Sequence, residues 1–114
     1  MAFNKPDITQ LRSLERIAKA WANFNQTSTQ AIRDSYNVSS ITDSGTGAST
    51  INFSTALSSA DYSAVVSGSV VSGLSMNYSI GIGSLAAASV GVYREDANGN
   101  AYDGTYMTLV VFGN

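Results

Sequence analysis

The chain has 114 residues, enough for one core of ordinary size and too few for two. Only 12% of them are charged, against about 25% in typical soluble domains, and the formal net charge is −2 with a pI near 4.7. The absence of cysteine and histidine excludes disulfides, thiolate metal sites and imidazole acid–base chemistry.

The charge is unevenly spread. Lys5, Arg12, Arg16 and Lys19 outweigh Asp7 and Glu15 in the first nineteen residues. Beyond them Arg33 and Arg94 stand against Asp34, Asp43, Asp61, Glu95, Asp96 and Asp103. So acidic a body is a poor match for a phosphate backbone, and no nucleic acid partner is expected. No stretch reaches the ~18–20 apolar residues of a membrane span, and the N-terminus lacks a signal peptide's apolar run. No membrane partner is expected, and the chain should stay in a cytosol-like compartment unless it leaves inside a particle. A surface solubilised by hydroxyls and amides repels its own copies weakly, which permits assembly.

In chain order, residues 5–23 read as a helix. Ile8, Leu11, Leu14, Ile17, Ala18 and Trp21 recur at steps of three and four. Pro6 suits a first turn, Asp7 and Gln10 form a capping pair, and Glu15 with Lys19 makes a favourable i,i+4 pair. A helix of this length is marginal alone, so its apolar stripe needs cover. Leu11, Leu14, Ala18 and Trp21 approximate a heptad seam that parallel copies would bury mutually; the alternative is that the stripe packs on its own domain. Leu11, Leu14, Ile17 and Trp21 are the residues expected at an oligomer interface, within a helical arm over 1–25.

After Asn25 the texture changes to β-branched, small and aromatic residues. Strands are expected near 30–36, 37–43, 48–54, 62–71, 75–82, 86–95 and 104–112, with alternation at Ile51/Phe53, Val90/Val92 and Tyr106/Thr108/Val110/Phe112. Ser44-Gly45-Thr46-Gly47 reads as a hairpin turn, and Asn98-Gly99 as the strongest turn signal, favouring a primed hairpin turn. The fold class is all-β: an antiparallel β-sandwich of about seven or eight strands over 26–114, preceded by one N-terminal α-helix. The stretch 64–92 is rich in small residues, which allow another backbone or subunit to approach closely.

Reactive groups are scarce. The six acids of the body lie mostly at predicted turns or strand ends, where Asp caps local backbone, so glycosidase-type carboxylate chemistry is not expected. Asp96, Asn98 and Asn100 have the spacing of a calcium loop, but the glycine is misplaced and Met107 stands where the bidentate acid belongs. The glycine pattern from Gly81 lacks the strand–helix context of a dinucleotide fold. No enzyme activity, cofactor or metal is expected. Tyr36, Tyr62, Tyr78, Tyr93, Tyr102 and Tyr106 are either rim tyrosines of half-buried strands or rings for stacking sugars.

The run from Lys19-Ala20-Trp21 through Phe24 to Ile32-Arg33-Asp34-Ser35-Tyr36-Asn37-Val38-Ser39-Ser40 and Gly45-Thr46-Gly47 resembles a module of tail-fibre and other virion-surface proteins of tailed phages. Thr50-Ile51-Asn52-Phe53, Tyr62 and the closing Val111-Phe112-Gly113 fit the same pattern, which spans about 19–114. Gln26 and Ser28 stand where that pattern has glycine. The resemblance implies a homotrimer with no catalytic residues. Without a fibre shaft before it, the chain is expected to be a capsid decoration (cement) protein at the virion surface, made in the host bacterial cytoplasm. Its partners would be itself and the major capsid protein or another virion protein. The alternative is a tail-fibre-tip or receptor-binding module recognising host surface glycan.

Overall fold

The computed structural model describes residues 17–69 and 78–113. These residues form eight strands: β1 (Ala18–Asn25), β2 (Ala31–Tyr36), β3 (Val38–Gly45), β4 (Ala48–Phe53), β5 (Ser63–Gly68), β6 (Tyr78–Ala86), β7 (Ser89–Asp96) and β8 (Met107–Phe112). All pairings are antiparallel. The first sheet runs β2-β1-β8-β5 and the second β3-β4-β7-β6. The all-β expectation holds for these residues, as two four-stranded sheets consistent with a sandwich. The seven expected strands correspond to β2–β8 with ends displaced by up to four residues, β6 running on to Ala86 and β7 and β8 starting three residues late; the stretch 70–77 lies outside the described residues.

The helix expected over 5–23 is corrected where it can be compared. Ala18–Asn25 is a strand, hydrogen-bonded on both sides, to β2 and to β8. Its burial alternates strictly: Ala20, Ala22 and Phe24 are inside, with Trp21 and Asn23 between them facing outward. The alanines and the Glu15–Lys19 spacing suit a helix, but the period-two burial and the ladder offered by β8 override local propensity. Trp21 and Ala18 therefore cannot belong to a helical heptad seam. Residues 5–16, including Leu11 and Leu14, lie outside the described residues. Residues 18–25, expected in the arm, are an inner strand of the first sheet.

Two crossings between the sheets depend on single side chains. Asn37 alone separates β2 from β3, at φ +55°, a left-handed conformation that asparagine tolerates better than most residues. Its amide nitrogen donates to the Lys19 and Thr55 carbonyls, both at 3.0 Å, and its oxygen accepts from the Thr55 N–H at 2.8 Å. One residue thereby turns the chain onto the second sheet and ties β1 to the return loop after β4. At the end of that loop Tyr62 packs edge-on against Phe53, ring centroids 5.9 Å apart. The Tyr62 hydroxyl shares its proton between the carbonyls of Ala86 (2.8 Å) and Ser89 (2.9 Å), which flank the β6–β7 turn.

Burial raises the Tyr62 phenol above its ordinary value of 10.0. A phenol with a raised folded pKa stabilises fully below the unfolded value and loses that contribution as pH rises through the folded one. Stability should therefore fall above about pH 10. Tyr62→Phe is expected to cost about 1–2 kcal/mol at neutral pH and to flatten part of that alkaline decline. Urea titrations of both proteins across the alkaline range measure it; parallel profiles would refute the assignment.

The core lies between the sheets. Ala20, Ala22 and Phe24 of β1 and Met107, Leu109 and Val111 of β8 face Ile51 and Phe53 of β4 and Val90 and Val92 of β7, with Leu57 and Tyr62 closing one end. Each large apolar side chain withdrawn there stabilises by about 1.5–3 kcal/mol. The other end is polar. Gln26, Ser49 and Arg94 are 1%, 1% and 3% exposed. Gln26 donates to the Ser49 hydroxyl (3.0 Å) and accepts from the Gly104 N–H (2.9 Å), and Ser49 in turn donates to Gln30 (2.6 Å). The Arg94 guanidinium donates to the Ser69 carbonyl at 3.1 Å, contacts the Met107 sulfur at 3.6 Å and lies 5.6 Å from the Tyr102 ring centroid.

Candidate functional site

The outward side chains of the first sheet make a row that crosses all four strands. The register sets Tyr36 opposite Trp21, Trp21 opposite Val110, and Val110 opposite Val65. The strand neighbours of Trp21, Val110 and Val65 lie in the core or pack against it, so these three face outward; Tyr36, flanked by half-buried Ser35 and Asn37, is exposed on the edge strand. Tyr36 is 56% exposed, Val65 58% and Trp21 37%. The next outward position on β8, Phe112, is also exposed, and it pairs with Ala18, immediately after exposed Ile17.

On the other side of the row, a bulge between Asn23 and Phe24 leaves Arg33 as the extra residue of β2. Its guanidinium reaches over β1, donates to the Phe24 carbonyl at 3.0 Å and sits 3.9 Å from the Tyr106 ring centroid. A cation held over an aromatic ring at this distance contributes about 0.5–1 kcal/mol at an exposed site. Tyr106 is itself exposed, alternating with buried Met107. At the Tyr36 end the face borders an open cleft of about 310 Å³ lined by Lys19, Tyr36, Asn37, Thr55, Ala56 and Leu57.

The outer face of the second sheet is built differently. Asn52 donates to Ser40 (3.1 Å) and Thr42 (2.9 Å), Ser44 bonds Thr50 (2.9 Å), and the Ser39 hydroxyl donates to the Asn52 carbonyl (3.2 Å). These groups satisfy one another and are at home in water. The exposed ring there, Tyr93, pairs with Gly81 and lies against Gly83, covering strand positions that have no side chain.

Of the residues expected at an oligomer interface, Ile17 and Trp21 both fall on or beside the apolar face, while Leu11 and Leu14 lie outside the described residues. Tyr36, Val65, Tyr106, Val110, Phe112 and Arg33 join them without having been singled out for that role. A signal for them was present in β8. Met107 to Phe112 is apolar on both parities except at Thr108, the pattern of a strand covered on both faces.

Among the described carboxylates, Asp34, Asp43, Asp96 and Asp103 accept from backbone N–H groups. Asp43 accepts from the Gly45 N–H (2.9 Å) and from Gln30 (2.9 Å), and Asp103 accepts from the Gly47 N–H (2.6 Å). Asp96 accepts from the N–H groups of Asn100 (3.0 Å) and Asn98 (2.8 Å), which hold its carboxyl below the usual range. This Asx geometry, with Gly99 at φ +80° and Asn98 outside the positive-φ region, replaces the primed hairpin turn expected at Asn98-Gly99. The turn reverses the chain, with Glu95 bridging Ala101 antiparallel and the Asp96 N–H donating to the Asn100 carbonyl (2.8 Å), before the chain crosses to β8 in the other sheet. Among the described residues no group of three or more acidic side chains is close enough to hold a metal ion, and no helix is long and apolar enough to cross a membrane. No family model, curated protein or solved structure matches the chain.

Proposed function

We propose that this chain is a non-catalytic structural protein of a tailed-phage virion, a homotrimeric decoration (cement) protein that binds the major capsid protein on the head surface. The observation that carries the reading is the apolar row across the first sheet. A broad face of rings and aliphatic side chains suits contact with other protein surfaces, whereas Asp43, Asp96 and Asp103 are engaged by backbone N–H groups. The resemblance to virion-surface modules supports it further. Ser28, one of two positions where that pattern has glycine, takes φ +57°, in the left-handed region that favours glycine.

A second reading has one observation in its favour. Tyr36 and Trp21 sit side by side with exposed rings, as sugar-stacking residues of a fibre tip would. Quantitative mass spectrometry of virions carrying this chain separates the readings. Hundreds of copies per particle are expected of a coat protein, a handful would favour the fibre tip, and absence from purified particles would overturn both.

A further inference from the structure

Resting only on the self-assembly part of that reading, we infer that the outer face of the first sheet, centred on Tyr36, Trp21, Val110 and Val65, is where a second copy of this chain packs. Area is the first argument. Exposed Ile17, Trp21, Tyr36, Val65 and Phe112 leave roughly 400 Å² in water, at about 150–250 Å² for a full aromatic side chain, while Tyr106 lies beyond the polar outward row of Asp34, Asn23, Thr108 and Ser67. That lies within the range of the largest patch on a typical monomer, a size that is often functional. It is also about half of the ≈800 Å² that each partner contributes to a standard interface.

The second argument is the order of side chains within the row. Its β2–β1 half carries the large rings of Tyr36 and Trp21, and its β8–β5 half the small side chains of Val110 and Val65. A copy laid face to face with the row reversed sets rings over valines at both ends, so the surface is complementary to itself. In a threefold ring the contact would be heterologous instead, with the ring-bearing half of each copy on the valine half of the next.

Charge does not oppose the contact. Arg33 and Asp34, adjacent on β2, carry opposite signs, and Arg33 is already engaged by Tyr106 and the Phe24 carbonyl. Trp, Tyr and Arg are also the residue types that dominate interface energetics.

The test uses the full chain. Light scattering should give a mass that is a multiple of 11.9 kDa, and acrylamide should quench the single tryptophan, Trp21, weakly. Val65→Lys alters a side chain that is exposed in the single copy, so far-UV circular dichroism should be unchanged. Its mass should fall to 11.9 kDa and Trp21 quenching should rise. Ser79→Lys, exposed on the second sheet, should leave the oligomer intact. A wild-type monomer at high concentration, or an oligomer indifferent to Val65→Lys, would overturn the inference. So would a monomer whose Trp21 becomes quenchable only after removal of residues 1–16, since that places the chain's own segment on the face. The virion count is independent: absence from particles removes the phage reading and leaves this measurement standing.

Discussion

Gly47→Ala is expected to lose about 3–5 kcal/mol of stability, a large fraction of the 5–15 kcal/mol of a typical domain. Gly47 sits at φ +69°, where an added Cβ is strained whatever the space around it. Here there is no space either. The Cβ would press on the Arg94 carbonyl oxygen and lie 2.8 Å from the Tyr102 nitrogen. Neither neighbour can yield cheaply, because both are main-chain atoms in one hydrogen-bonded knot. The Arg94 N–H donates to the Gly47 carbonyl (2.8 Å), the Tyr102 N–H to the Arg94 carbonyl (3.1 Å), and the Gly47 N–H to Asp103 (2.6 Å). Displacing Gly47 breaks several of these at once, at roughly 1 kcal/mol each. Gly45→Ala is the internal control. Its φ of +124° is also strained, but nothing lies within 4 Å of the added carbon, so a loss nearer 1 kcal/mol is expected. Urea midpoints at unchanged m-value measure both. Equal losses at the two glycines would show that the knot contributes nothing.

Gln26→Ala is expected to cost about 3–4 kcal/mol. Truncation leaves a cavity and strips partners from the Ser49 hydroxyl and the Gly104 N–H in a site from which water is excluded, where each orphaned group costs about 1–3 kcal/mol. The loss spreads because Ser49 also holds Gln30, whose amide reaches the Ala48 carbonyl (3.0 Å) and Asp43 (2.9 Å). Gln26→Glu separates volume from hydrogen bonding. The introduced carboxylate accepts as before and cannot donate, and burial raises its pKa. Its neutral form should be tolerated below the ordinary Glu range and lost as pH rises through the raised value, so this variant should be relatively more stable in acid. A pH-independent deficit, or a cost of Gln26→Ala below about 1 kcal/mol, would mean that the polar end of the sandwich is a bystander.

These two sites, and the outer apolar face of the first sheet, were not equally legible beforehand. The turn at Gly45–Gly47 was, because two glycines between β-branched runs demand positive φ, and both take it. Gln26 was not. In a chain solubilised by amides and hydroxyls, nothing local distinguishes an amide that will be sealed between sheets from one that will face water. Arg94 is the same case: read as one of two cations of an acidic body, it is almost fully buried beside Gly68 and Gly104, whose missing side chains make room for its guanidinium.

From residue order alone came the all-β texture after Asn25, the positions of seven strands and the scarcity of reactive groups, because alternation, turn glycines and composition are properties of the chain before it folds. Tertiary structure decided the rest. Ala18–Asn25 is a strand and not a helix because β2 and β8 offer it hydrogen-bonding edges on both sides and a core for Ala20, Ala22 and Phe24, contacts that helix propensity cannot anticipate. Register across four strands brought Tyr36, Trp21, Val110 and Val65 into one row, although they are as much as 89 positions apart in sequence. In β8, where both parities are apolar, only the position of the opposing sheet determined that Met107, Leu109 and Val111 fill the core and Val110 and Phe112 face outward.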